Sequence, residues 1–372
     1  MRMLVLGATG SIGRRVSAEL ARHPDVDRVV LSARGAEDLE RFAGLFGGKD
    51  RRVLPHRLDV TDDDALRAAM RDADVVVSCA GPSYLLEIDC VRAAIDSRVH
   101  YVSLCDDHVV TDRVMALDDD ARDAGITVIS GCGLSPGLTN HLVSRARREL
   151  DENDEIEISV AASSVDAGGE AAAIHFLFEL SQDAPVLADG RRTALRAGSA
   201  PKLVYFPEPV GWVETFRCGH PEVITLAETS PGLRACEFRV GLTEKPIMDI
   251  ARASAALGLG GTERTRRMSY RFAEPLRPLI EKIPPRGASW TAARVDVRGK
   301  KDGRPTTESL AVVDRLANLA AAPLVLAALA LARGEVHERG VRTPEAAFDA
   351  GDFLAALAQR GLRVARLEPQ LV

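Results

Sequence analysis

Met1-Arg2-Met3-Leu4-Val5-Leu6-Gly7-Ala8-Thr9-Gly10-Ser11-Ile12-Gly13 is the stretch from which the fold is read. An apolar run of strand length stops at Gly7, glycines recur at Gly10 and Gly13, and Arg14 to Arg22 carries the apolar spacing of an amphipathic helix. The pattern is strand, tight turn, helix. Glycines in such a turn let the backbone come within contact distance of a pyrophosphate, whose charge then rests on the N–H groups of the helix N-terminus. The expected ligand is a dinucleotide, held at Gly7, Thr9, Gly10, Ser11, Ile12 and Gly13. A glycine turn is a weak signal alone, but this one follows a strand and opens a helix at the head of an alternating β-α pattern. A secretory leader is not expected here, because the apolar part is only Met3 to Leu6 and no small-residue cleavage pattern follows.

Working outward, Arg28 to Arg34 is a second short buried strand, and its end bears on the choice of cofactor. An acid at this place accepts hydrogen bonds from a ribose 2′-hydroxyl, whereas an arginine welcomes a 2′-phosphate. Ser32 and Arg34 stand there, so the expected cofactor is NADP (NADPH). Asp38 to Phe46 reads as a helix, and Arg52 to Val60 as a third strand whose terminal Asp59 faces the adenine side. Thr61 reads as the N-cap of a helix to about Asp72, with Asp62, Asp63 and Asp64 in its first turn. Asp74 to Pro82 is a nearly all-apolar strand, as expected of a parallel sheet covered on both faces. Ligands of open α/β sheets lie beyond the carboxyl ends of the strands, which places Cys79, Ala80, Gly81 and Pro82 near the ribose and nicotinamide. A helix from about Glu87 to Ile95, the strand His100 to Leu104, a helix from Thr111 to Ala124 and the strand Ile126 to Ser130 complete a six-stranded doubly wound unit.

Gly131-Cys132-Gly133-Leu134-Ser135-Pro136-Gly137-Leu138-Thr139-Asn140-His141 is a second glycine-rich turn leading into a helix to about Leu150. At the carboxyl end of a strand its backbone, Pro136 included, is expected to face the reacting end of the cofactor, and a hinge between domains reads equally well. From Glu155 the β-α alternation breaks down. Ile156 to Ala161, Pro201 to Phe206, Val223 to Leu226, Cys236 to Gly241 and Ala293 to Gly299 read as strands, with helices at Ala171 to Leu180 and Ile247 to Leu257. Thr306 to Val312 returns after a turn at Lys300 to Arg304. Period-two strands between loops predict an antiparallel or mixed sheet with one wet face. The uncharged run Leu316 to Ala332 falls short of the roughly 20 apolar residues a bilayer span needs and holds Asn318 and Pro323, so it predicts a buried helix returning to the first domain. A tail helix runs from Phe348 to Gln359.

The fold class is therefore α/β: a Rossmann domain over 1–130, completed by about 310–372, and a central α+β domain for substrate and dimerisation over 131–309. The 372 residues suffice for about two domains. A net charge of −6, with arginines interleaved among acids, argues against a nucleic-acid surface. Six cysteines without a C-x-x-C pair or a neighbouring histidine at zinc spacing predict buried thiols, no metal and a reducing, cytoplasmic setting.

These features together resemble the saccharopine dehydrogenase superfamily, above all its saccharopine reductase-like and lysine dehydrogenase-like members. The resemblance is carried by Gly7 to Gly13, His100 to Leu104, Thr111 to Val114 and, most specifically, Gly131 to Leu142, and it extends through Gly211 to Phe216, Lys300 to Gly303 and Gly351-Asp352. It implies a homodimer that transfers a hydride between NADP and the carbon of an amine or imine in a small-molecule, amino-acid-type substrate, with no nucleic acid or membrane partner. Members usually carry an aspartate and glycine where Ser103 and Cys105 to Asp107 stand, and lysine dehydrogenases a histidine near Phe216-Arg217-Cys218, which argues against lysine itself. An iminium accepts hydride readily, so the protein's main task is to hold the reactants together. For proton transfer His141 is the first expectation and Tyr84 the second; Glu170, His175, Arg217 and Arg239 are expected substrate contacts. A reductase of a C=C or C=O bond, and a nucleotide-binding sensor without turnover, are the competing functions.

Overall fold

The computed structural model describes residues 1–46, 52–166, 170–273 and 289–368, and it divides the chain into two compact units. The first comprises Met1–Leu138 and Ala317–Asp349; the second comprises Thr139–Leu316 and Ala350–Val372.

In the first unit strands and helices alternate as β1 (Arg2–Leu6), α1 (Ser11–Arg22), β2 (Arg28–Ala33), α2 (Ala36–Gly44), β3 (Val53–Arg57), α3 (Asp63–Met70), β4 (Val75–Ser78), α4 (Ser83–Ser97), β5 (His100–Ser103), α5 (His108–Met115), α6 (Asp118–Asp123) and β6 (Thr127–Ile129). All of β4 is buried, as a strand covered on both faces must be. Two local expectations are corrected. The cap of α3 is Asp62, whose side chain accepts from Ala65 N–H at 3.1 Å; Thr61 instead donates its N–H and hydroxyl to Asp59. The helix expected over Thr111 to Ala124 is two, α5 and α6, separated at Leu117.

The second unit begins with α7 (Leu138–Arg147), whose first residue still belongs to the first unit. It continues through β7 (Glu152–Ala162), α8 (Glu170–Ser181), β8 (Asp183–Ala188), β9 (Arg191–Arg196), β10 (Lys202–Phe206), β11 (Gly211–Arg217), α9 (Glu222–Thr229), β12 (Ala235–Leu242), α10 (Lys245–Ala256), α11 (Glu263–Ala273), β13 (Thr291–Lys301) and β14 (Arg304–Asp314). Val223 to Leu226, expected as a strand, lies in α9, which starts directly after Pro221. Its β-branched residues are buried there, so packing outweighs their strand propensity.

Last come α12 (Leu316–Ala332), β15 (Gly340–Arg342), α13 (Pro344–Ala347), α14 (Ala350–Gln359) and β16 (Val364–Leu367). Helix α12 has the bounds read from the sequence, and within the first unit Leu319, Ala321, Leu324, Val325 and Ala328 are wholly buried. No helix among the described residues is long and apolar enough to cross a membrane. The first unit's sheet is parallel throughout and has the order β15-β6-β5-β4-β1-β2-β3, so β15 adds a seventh strand to the expected six. From residue 350 onward the chain groups with the second unit, because β16 pairs antiparallel with β14.

The second sheet runs β10-β11-β12-β7-β13-β14-β16, with β8 and β9 joined through β12. It is mixed, since β12 and β7 are parallel while β13 and β14 pair antiparallel. Phe238, Ile158, Val295 and Leu310 share one row and make one face apolar. The opposite face is polar but not wet: Ser159, Arg239, Asp296 and Glu157 are all buried. Ion pairs satisfy it, Lys202 with Glu157 at 2.6 Å, Arg294 with Asp296 at 2.8 Å and Arg239 with Glu237 at 2.7 Å. Buried charges are tolerated only when paired in this way.

Candidate functional site

The site of the first unit is created by chain order. Strand β1 sits between β2 and β4, and the chain moves out through β2 and β3 before returning to β4. This reversal is the switch point at which open α/β sheets bind ligands. Gly7, after β1, adopts a φ of +72°, and a Cβ there would stand 2.7 Å from the Cys79 carbonyl oxygen beyond β4. A Cβ on Gly13 would lie 2.1 Å from the Gly7 carbonyl oxygen. Glycine is therefore required at both. Gly10 N–H donates to Gly7 C=O at 3.1 Å and caps α1 without a side chain, and no acid stands in the helix's first turn. Backbone amides and helix dipole thus face a position suited to an anion. Thr9 and Ile12 are half-buried and Ser11 is exposed around this turn. Across it, Cys79, Ala80 and Pro82 are half-buried and Gly81 exposed, with burial pushing the Cys79 thiol up to about 12.

At the end of β2 the two residues chosen from sequence differ in placement. Ser32 is buried and its hydroxyl donates to the Val5 carbonyl at 2.9 Å, whereas Arg34 is exposed. The register pairs Ala33 with Arg57, whose Nε donates to the Arg34 carbonyl at 3.3 Å. Arg57 is thus a second cation beside Arg34, missed because the pairing of β2 and β3 sets its place. Arg14 was also missed; it donates to the Thr9 carbonyl, pairs with Asp38 and lies over the Phe42 ring. Asp59 is exposed, and the Thr61 N–H and hydroxyl hold its carboxyl below the usual range.

The second turn is as constrained as the first. Gly131 has a φ of +79°, and a Cβ there would meet Pro136 Cγ at 2.4 Å and the Cys105 carbonyl oxygen at 2.8 Å. Gly133 N–H donates to Pro136 C=O at 2.8 Å, and Leu138 N–H to Gly133 C=O at 2.9 Å. Beside it lies a group that sequence reading passed over. Glu87, on α4, is buried and accepts from Ser103 Oγ at 2.6 Å, Ser130 Oγ at 2.7 Å and Tyr101 Oη at 2.9 Å. Burial raises its carboxyl above the usual range, against the three hydroxyls, which favour the anion. Tyr84, one turn earlier on α4, is half-buried against the same core.

In the second unit His141 is fully buried and stacked on Phe353, ring centroids 4.1 Å apart. The imidazole with an orienting carboxylate is His220: its Nδ1 pairs with Glu222, its ring stacks on Phe238 at 3.9 Å, and Thr139 Oγ1 donates to the other Glu222 oxygen at 2.7 Å. Two residues apart in sequence, His220 and Glu222 give no motif, and the intervening Pro221 hides the pair. Arg217 and Arg239 both pair with Glu237; burial pushes that carboxyl up, and the two arginines outweigh it and hold it below the usual range. His175 is half-buried on α8, and Glu170 lies outside the described side chains.

Residues 3–129 match the family model described as the saccharopine dehydrogenase NADP binding domain. The saccharopine dehydrogenase (NADP(+), L-glutamate-forming) of Pyricularia oryzae is 39% identical over 116 residues, which cover 31% of this chain and 23% of that enzyme. The chain thus spans less than a quarter of that relative's length. Carboxynorspermidine synthase of Vibrio cholerae is 24% identical over 99% of this chain and 98% of its own. Among solved structures, the L-Glu-forming saccharopine dehydrogenase of Saccharomyces cerevisiae shares the fold, with a TM-score of 0.70 over 99% of this chain and all of that one, at 17% identity.

Proposed function

For a chain whose residues 3–129 match the model of the saccharopine dehydrogenase NADP binding domain, we propose an NADP(H)-dependent oxidoreductase acting at the amine or imine carbon of an amino-acid-type substrate. The observation that carries the reading is the double close approach at Gly7 and Gly13, a cradle that any Cβ would fill, set at the sheet's switch point. Gly7 to Gly13 and the N-terminus of α1 would hold the pyrophosphate, Arg34 with Arg57 the 2′-phosphate, and Cys79 to Pro82 with the Pro136 turn the nicotinamide half. Ser32, Asp59, Thr9, Ser11 and Ile12 line the same reading. Bound NADPH supplies the hydride, and the protein's own groups orient the substrate, exclude water and move one proton. The relatives named for saccharopine and carboxynorspermidine support a nitrogen-bearing substrate with a carboxylate. Six free cysteines, five buried and Cys79 half-buried, support a reducing, cytoplasmic setting, and the homodimer implied by the resemblance belongs to the same reading.

For the proton we put His220 first, because a carboxylate on Nδ1 fixes the orientation of the ring. His141 and Tyr84 are the alternatives. NADPH consumption with mixed amines and oxo acids tests the reading. His220→Gln is expected to lower kcat by roughly 100-fold, the usual scale of a general acid-base group. A larger loss in His141→Gln or Tyr84→Phe moves the role to that residue.

A further inference from the structure

We propose that Glu87 is a positioning residue that clips the carboxyl ends of β5 and β6 together and so sets the two backbone segments meeting the nicotinamide half of the cofactor. The proposal rests on the cofactor placement above. Three observations carry it. First, one carboxylate oxygen accepts both Ser103 Oγ, the last residue of β5, and Ser130 Oγ, the first residue after β6. The other accepts Tyr101 from within β5. Second, the Ser103 hydroxyl relays the tie to backbone, accepting from Cys105 N–H at 3.3 Å and Gly131 N–H at 3.4 Å. The Ser103 carbonyl accepts from Cys132 N–H at 2.7 Å, so the start of the second turn is held on both sides. Third, Glu87 rides on α4, which follows directly from Cys79 to Pro82 beyond β4. One carboxyl thereby registers the chain beyond β4, β5 and β6.

The expense of the device supports its role. A buried carboxyl carries a desolvation cost that an apolar residue would avoid, and its neighbours along the chain, Ile88, Cys90 and Val91, belong to the apolar core of this unit. Removing the carboxyl leaves two buried hydroxyls, Tyr101 and Ser103, and the half-buried Ser130 without their acceptor, which loosens the segments they fix.

The test compares two ligands on the full chain: 2′,5′-ADP, which reports the adenine half alone, and NADPH, which reports both halves. Glu87→Met is expected to leave 2′,5′-ADP affinity within about twofold while NADPH binding weakens by roughly tenfold, the loss typical of a disrupted charged hydrogen-bond network. Glu87→Gln, whose amide oxygen still accepts from the two serines, should recover part of that loss. If Glu87→Met does not fold, the double variant Ser103→Ala with Ser130→Ala makes the same comparison. Equal weakening of both ligands, or no change in either, overturns the positioning role. Failure of the unaltered protein to bind 2′,5′-ADP overturns the cofactor placement instead, so the two claims fail separately.

Discussion

Gly13→Ala is expected to cost the protein most of its NADPH affinity. The added methyl would lie 2.1 Å from the Gly7 carbonyl oxygen, far inside van der Waals contact, and the obstacle is backbone rather than the tip of a flexible side chain. The turn can accept it only by moving Gly7 away. Gly7 in turn sits against the Cys79 carbonyl, so the displacement is passed across the switch point to the segment after β4. Overpacking of this kind costs about 1–3 kcal/mol, and taken from binding that is roughly a 5- to 150-fold loss of affinity. Gly44→Ala is the control: it lies in α2 with no atom of the described residues within 4 Å of the added one, and no change in affinity is expected. Isothermal titration of both variants with NADPH checks the pair. An unaltered affinity in Gly13→Ala would remove the glycine turn from the cofactor site.

Arg34→Ala carries the second large effect, on the choice between the phosphorylated and unphosphorylated cofactor. Arg34 is exposed at the end of β2, next to Arg57, and the acid that would repel a 2′-phosphate is missing there. Of the acids close by in sequence, Asp38 is paired with Arg14. A charge-assisted bond to phosphate contributes about 1.5–3 kcal/mol, so NADPH affinity should fall by roughly 10- to 100-fold while NADH binding stays level. Adding Arg57→Ala should deepen the loss. Equal changes for both cofactors in competitive titrations would place the 2′-phosphate elsewhere.

The parts of the molecule legible in the chain are those governed by local chemistry. The turn at Gly7 to Gly13, the buried strands of the parallel sheet and the bounds of α12 follow from glycine spacing and from runs of apolar residues, which neighbours in sequence decide. What escaped is what distant residues decide. Strand β15, from Gly340 to Arg342, is too short to stand out until it pairs with β6. The hairpin of β8 and β9 is hidden because β9 is exposed throughout and carries no apolar alternation. Val223 to Leu226 reads as a strand on propensity and is helical because that face is buried. The polar face of the second sheet looks like a solvent face in sequence, and only the cross-strand ion pairs reveal it as interior. Among the proposed site residues, Arg34 and the glycines can be nominated from their positions at strand ends. Glu87, Arg57 and the His220 and Glu222 pair were not, since each acquires its meaning from a partner that the fold brings near.

We expect hydride transfer from NADPH to a carbon that bears nitrogen. Turnover with NADPH deuterated at the transferring position, in the presence of a panel of amines paired with oxo acids and aldehydes, tests it most directly when the products are read by mass spectrometry. Consumption is expected only when amine and carbonyl are both present, with one deuterium on the carbon of the new C–N bond. Deuterium on a hydroxyl-bearing carbon, from a carbonyl compound without any amine, would contradict it.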